Sequence, residues 1–296
     1  MAGVIEIPEE FTDVQRRYGG EAGRAFLAEL PRRAERFLRR WELRPAGAPM
    51  HGWGALVLPV VRADGTRAAL KLQRIDDENA GEGDGLRAWD GDGAARLLAR
   101  DEETNTLLLE WLDGGRSLND VPGVREALPV LAGLMARLTA RTAPPGLRRL
   151  GDLTARLLTA APTVIATHPD ADERGLLKDC AAAVREVADE SGDALLHWDL
   201  HYGNVLAAGR EPWLAIDPKP LAGDPGFELF PALMNRFDPA GTDWRFDLMT
   251  EVLALDRDRA RAWTLARILQ NGLWHIADEE PLWKEEVSIA RTLLAR

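Results

Sequence analysis

Leu195-Leu196-His197-Trp198-Asp199-Leu200-His201-Tyr202-Gly203-Asn204-Val205-Leu206, followed by Trp213-Leu214-Ala215-Ile216-Asp217, is the stretch on which the reading of this chain turns. The apolar runs 194–196 and 213–216 have the form of short buried strands on either side of a polar loop. The loop presents Asp199 and then Asn204, and the second strand delivers Asp217 at its end. Groups mounted where buried strands end can be held to the tolerances that chemistry needs. Two carboxylates and an amide gathered there supply hard oxygen ligands for magnesium, with one carboxylate left to handle a hydroxyl proton. Such an inventory suits phosphoryl transfer, in which positioning and charge neutralisation do most of the catalysis.

Upstream, Ala55–Arg62 and Arg67–Leu72 read as strands joined through Asp64-Gly65, a hairpin turn signal. Lys71 lies inside the second of them between apolar neighbours, where it either points to solvent or serves a purpose. Asp76–Trp89 has an acidic start and helical spacing, weakened by glycines at 81, 83 and 85. Arg96–Arg100 and Thr106–Leu112 read as two more strands, the second continuously apolar and therefore buried. Asp113-Gly114-Gly115-Arg116 is a sharp break, taken as the boundary between a small β-rich lobe, 1–112, and a larger helical lobe, 113–296. Helical runs are expected at Val124–Arg141, Leu147–Ala160, Glu173–Glu190, Phe227–Asn235, Trp244–Leu255, Asp258–Trp274 and Pro281–Leu294. Near the N-terminus, residues 1–20 carry few helix signals, and Glu21–Leu43 reads as a helix that Pro31 kinks or splits.

The 296 residues, 46% hydrophobic and 29% charged, fit one large domain or two lobes of an ordinary globular protein. A net charge of -11 argues against a nucleic-acid partner and makes a cationic small molecule more plausible. The lone Cys180 fits a reducing cytoplasm, Met1–Glu10 has no leader-like apolar region, and no run is long enough to span a membrane. No P-loop, dinucleotide fingerprint, calcium loop, zinc cluster or hydrolase elbow is complete in the sequence.

His197-x-Asp199-x4-Asn204 has the spacing of the kinase catalytic loop. With Asp217 after the next strand and Lys71 far upstream, the chain resembles the aminoglycoside phosphotransferase branch of the protein-kinase-like superfamily, whose loop typically runs His-Gly-Asp-Leu-His-x-Gly-Asn. More narrowly, Ala215-Ile216-Asp217-Pro218-Lys219, Gly223-Asp224-Pro225 and Phe227-Glu228 are similar to the streptomycin 6-kinase and hydroxyurea phosphotransferase family. Leu86-Arg87-Ala88-Trp89-Asp90-Gly91, Arg96-Leu97-Leu98 and Leu107-Leu108-Leu109-Glu110 fit the same family, and the likeness runs from about His51 to about Asn235.

That resemblance implies an α/β (α+β), two-lobed protein-kinase-like fold with a small antiparallel-sheet N-lobe, and an ATP- and Mg2+-dependent phosphotransferase with an alcohol acceptor. Asp199 would be the base, and Asn204 and Asp217 would hold the metal. Lys71 would contact the phosphates, paired by Glu82 or by its rival Glu78. Glu110–Leu112 would offer backbone to adenine, and His51-Gly52-Trp53-Gly54 would cover the phosphates, Gly52 and Gly54 permitting close approach. Lys219 is either an exposed loop charge or a phosphate or substrate contact; Asp224 and Glu228 either open a helix or face the substrate. Trp274, Asp278, Glu279, Glu280 and Trp283 form either an acidic aromatic wall or a solvated turn. Trp198 replaces the small residue usual in the loop, where an indole beside the base would reshape the acceptor pocket, and Pro220 stands where many members have glycine. The expected acceptor is a streptomycin-like aminoglycoside, with hydroxyurea or another metabolite as the alternative and a weak nucleotide-binding regulator as the rival class. The expected assembly is a monomer or weak dimer.

Overall fold

Two helices precede the first sheet. α1 (Glu9–Tyr18) and α2 (Gly20–Arg40) bury Phe11, Phe26, Leu30 and Phe37 against strands of the N-lobe. The computed structural model describes residues 5–296, so the first four residues of the leader-free reading lie outside it. α1 falls where few helix signals were expected, and α2 runs unbroken through Pro31. The apolar face of α2 packed on the sheet carries it past the missing hydrogen bond. Buried Arg33 adds a polar tie, donating to Thr106 Oγ1 at 3.1 Å and to the Gln73 carbonyl at 3.0 Å.

β1 (Arg44–Pro45), β2 (Met50–His51), β3 (Ala55–Val61) and β4 (Arg67–Gln73) follow, then α3 (Glu82–Trp89), β5 (Leu97–Asp101) and β6 (Thr106–Glu110). The sheet is antiparallel in the order β1-β3-β4-β6-β5, with β2 beside β3. Residues 77–81 form turns and only Glu82–Trp89 is helical. The three glycines explain the short helix and its position. A Cβ on Gly83 would meet Arg100 at 2.4 Å and one on Gly85 would meet Pro220 at 2.4 Å, so α3 lies closer to its neighbours than alanine would permit.

Next come β7 (Asp113–Ser117), a strand where a sharp break was expected, and α4 (Val124–Thr139). β8 (Arg148–Arg149), α5 (Leu150–Thr167), α6 (Ala171–Val187), β9 (Ala194–Leu196), β10 (Val205–Ala207), β11 (Trp213–Ala215) and β12 (Leu221–Gly223) come next. α7 (Leu229–Met234), α8 (Thr242–Val252), α9 (Arg257–Ala277) and α10 (Lys284–Leu294) complete the chain. The expected helices are present, with ends moved by caps such as Asp170, which accepts from the amides of Asp172 and Glu173. β9 and β11 are both buried but belong to different three-stranded sheets, β8-β12-β9 and β11-β10-β7. Cys180 is enclosed in the large core between α6 and its neighbours, and burial pushes its thiol up to about 12. Among the described residues no helix is long and apolar enough to cross a membrane.

Candidate active site

Three backbone-level ties zip the two loops quoted at the outset. The Ile216 amide donates to the Asn204 carbonyl, the Lys219 amide donates to the His197 carbonyl, and His197 Nε2–H donates to the Ile216 carbonyl, each at 2.9 Å. His197 is buried and stacks on Trp89 with ring centroids 6.1 Å apart. Burial lowers its pKa to about 4, so at neutral pH it is an uncharged packing and hydrogen-bonding residue.

The same loops place Asp199, Asn204, Asp217 and Lys219 on one cleft. Asn204 donates its amide N–H to the Asp199 carbonyl at 2.9 Å, which leaves its side-chain oxygen for the cleft. Lys71 reaches the cleft from β4 and pairs with Asp217 and, at 2.6 Å, with Glu82 Oε1. Burial opposes the charge on Lys71, but the two carboxylates outweigh it and hold its pKa above the ordinary lysine range. The Lys71 charge depresses Asp217, while burial raises Glu82. Glu78 does not approach Lys71. Its carboxylate lies 3.2 Å from Lys219, which also stands 3.4 Å from Asp199 Oδ2.

A cavity of about 350 Å3 extends from Lys71 and Asp217 past Gly52 to Glu110 and Leu112. The Leu112 amide has no hydrogen-bond partner among the described residues. The Glu110 side chain is occupied, because Arg210 grips it through Nε and Nη2 at 2.8–3.2 Å. Gly52 and Gly54 have open space where a Cβ would stand. Trp53 between them is 67% exposed, and its carbonyl accepts from Gln15 of α1 at 2.7 Å. That support for the glycine loop comes from a helix the local sequence signals did not reveal.

Asp224 and Glu228 are not brought into the cleft. Asp224 caps the turn after β12, accepting from the Gly226 amide, and pairs with Arg259 at 2.6 Å. Glu228 is 1% exposed and lies under the loop, accepting from the Trp198 amide at 2.6 Å. Burial raises its pKa to about 7. Trp198 also departs from expectation. At φ 69° it holds the left-handed backbone that glycine adopts without strain, and its indole turns into the core instead of toward the acceptor. There the ring lies between the guanidiniums of Arg148 and Arg267, at 4.1 and 4.8 Å. Trp274 and Trp283 are about half exposed, and neither they nor Asp278–Glu280 line the cleft.

Sequence reasoning missed the walls of a second recess. It opens beside Asp199 and His201, holds about 310 Å3, and is bounded by Phe230, Met234, Asn235, Arg267 and Asn271. Its residues come from α7 and α9, far from the loop motif, and carry no motif of their own. The only legible signal was helical spacing that sets Arg267 and Asn271 on one face.

Magnesium fits the donors present. Asn204 and Asp217 offer two hard oxygens beside Lys71, and no group of three or more His, Cys, Asp or Glu forms a closed cage among the described residues. That is the pattern for an ion that completes its shell with phosphate oxygens and water.

A family model described as aminoglycoside/hydroxyurea antibiotic resistance kinase matches residues 40–279. A hydroxyurea phosphotransferase from Kitasatospora aureofaciens is 60% identical over 299 residues, covering 100% of this chain and 88% of that protein. A streptomycin 6-kinase from Streptomyces glaucescens is 53% identical, covering 93% of this chain and 92% of that protein. Among solved structures, a thermostable mutant of the aminoglycoside phosphotransferase APH(4)-Ia with ADP and hygromycin B superposes with a TM-score of 0.60 at 13% identity, over 88% of this chain and 97% of that one. At that identity the likeness is one of fold.

Proposed function

The chain belongs to the aminoglycoside/hydroxyurea antibiotic resistance kinase family, and from that membership we propose that it transfers the γ-phosphoryl group of ATP to a hydroxyl of a small antibiotic-like acceptor. The acceptor is a streptomycin-like aminoglycoside or hydroxyurea, the two compounds named for its relatives. One observation carries the reading: Asp199 stands where the nucleotide side of the cleft, with Lys71 and Asp217, meets the recess under α7 and α9.

Each group then has work to do. The acceptor oxygen attacks the γ-phosphorus as the bond to the β–γ bridging oxygen breaks; its proton passes to Asp199, and ADP leaves. Lys71 holds the phosphates, and Glu82 fixes Lys71 in place. Lys219, tethered between Glu78 and Asp199, is set to meet the moving phosphoryl oxygens. The free Leu112 amide and the backbone at Glu110 receive the base, while Gly52 and Gly54 allow the loop to close on phosphate. Asn204 and Asp217 would hold magnesium, which when bound neutralises charge on the phosphates.

The lobes divide at 112/113 in this reading, supported by β7, which starts at Asp113 and pairs with β10. The reading includes action as a monomer or weak dimer. A chain with one cysteine and a need for ATP suits the cytoplasm. ADP release measured against a panel of aminoglycosides, hydroxyurea and simple sugars tests the proposal, with phosphorus NMR identifying the product. Magnesium-dependent turnover on an aminoglycoside or hydroxyurea is expected; turnover on sugars alone sinks the reading.

A further inference from the structure

Arg267 sits in the wall of the recess beside Asp199 without an ion-pair partner among the described residues. Its Nε is buried and makes no hydrogen bond, and its one polar contact is Nη1 to Gln270 Oε1 at 3.5 Å. Otherwise it leans on rings, 4.8 Å over Trp198 and 5.7 Å over Phe227. The opposite polarity lines the same recess in Asn235, whose Oδ1 is buried and also unpartnered. Asn271 spends its side-chain N–H on Glu286 at 2.7 Å. Among the described residues lining the recess Asp199 is the only carboxylate, and Lys219 already stands 3.4 Å from it.

A half-buried guanidinium whose Nε is sealed from water and whose donors are unspent calls for an oxygen acceptor, and it repels a second cation. An amide oxygen in the same lining calls for an N–H donor. We propose that Arg267 and Asn235 are specificity residues that select a compact, uncharged acceptor carrying a carbonyl and an N–H beside its reacting hydroxyl, the pattern of an N-hydroxyurea. The carbonyl accepts from Arg267, the N–H donates to Asn235, and the hydroxyl turns to Asp199. Polycationic aminoglycosides, which need carboxylates around the reacting hydroxyl, meet a cation there instead. Burial holds Arg267 down to about 10, outweighing the pull of Asp199, Glu78, Glu228 and Glu286, none of which pairs with it directly.

This inference rests on the phosphotransferase reading, and the experiment separates the two. Initial rates with ATP are measured for wild type, Arg267→Met and Asn235→Asp, using hydroxyurea and streptomycin as acceptors. Wild type is expected to favour hydroxyurea. Arg267→Met is expected to raise KM for hydroxyurea about ten- to a hundredfold, with kcat within a few-fold, and to lower KM for streptomycin. Asn235→Asp, nearly isosteric and leaving Arg267 untouched, is expected to move the preference the same way, so the outcome does not hang on one variant's folding. A wild-type preference for streptomycin, or parallel changes in both KM values, overturns the proposal. Should wild type phosphorylate neither compound, the functional reading fails on its own. Calorimetric binding of hydroxyurea to the protein saturated with AMP-PNP then decides the inference: affinity lost only in the two variants supports it, and no binding or unchanged binding overturns it.

Discussion

At the scale of single residues, the catalytic loop carries groups with different duties that lie only a few atoms apart. Asp199 faces the cleft, and Asp199→Asn is expected to cut kcat by about 10²–10⁴-fold. Nucleotide affinity, read by calorimetry, should stay within about twofold if the residue serves as general base and not as a phosphate contact. Glu228 faces the other way, into the core, where its carboxylate holds the strained Trp198 amide. Its pKa is raised from 4.5 to about 7, so its protonated form is the one the fold favours. The stability this confers is complete below pH 4.5 and is lost as pH rises through 7, an effect of about 3 kcal/mol. His197 works in the opposite sense. Lowered to about 4, it confers stability present above pH 6.5 and lost as pH falls toward 4. The two slopes overlap and offset each other in the wild type. Glu228→Gln, which keeps an acceptor for the Trp198 amide, should expose the His197 slope in urea unfolding between pH 4.5 and 7. A variant curve parallel to that of wild type would show that Glu228 does not titrate in this range.

At the scale of elements, α3 exists to bring Glu82 to Lys71, and glycine is what lets it come so close. Gly85→Ala sets a methyl 2.4 Å from Pro220 Cγ, forcing apart α3 and the loop that follows Asp217. A loss of about 1–3 kcal/mol is expected, with a raised KM for ATP because the Lys71 pairing loosens. Gly133→Ala, in α4 with open space at the methyl position, is the matched control and should stabilise by about 0.5–1 kcal/mol. If Gly85→Ala behaves like the control, close approach is not the reason for that glycine. The loop motif and the strands bearing Lys71 and Leu112 were legible because period-two burial and fixed spacing leave local marks. For Asp224, Glu228 and Trp198 the sequence does not say which way a side chain turns; all three turn inward, so Asp224 caps the turn before α7 as one alternative had it, and the substrate-facing alternative for Asp224 and Glu228 is not what the fold shows. Helix α1 escaped notice since its only fully buried apolar residue is Phe11, too few for a periodic signal, and packing on α2 stabilises it. The walls contributed by Asn235 and Arg267 are assembled by tertiary contact alone.

For the molecule as a whole, the division into lobes is not a division into folding units. The larger core recruits Leu86, Trp89, Ala94, Leu107 and Leu109 from the chain before residue 113. Trp89 Nε1–H donates to the Leu138 carbonyl at 3.0 Å, and Arg210 clamps the end of β6 through Glu110. Residues 113–296 expressed alone are therefore expected to show no cooperative thermal transition, while the whole chain gives one. A fragment with native-like aromatic circular dichroism and a sharp transition would contradict this. Cys180 carries a practical corollary. Enclosed and held as an unreactive thiol, it lies out of reach of maleimides and spin labels. Cysteines introduced at exposed Arg67 and Asp243 can thus take probes in the natural background, one on each side of the cleft. Distances between such probes would follow the opening and closing of the two lobes on nucleotide without a single prior substitution to silence the native sulfur.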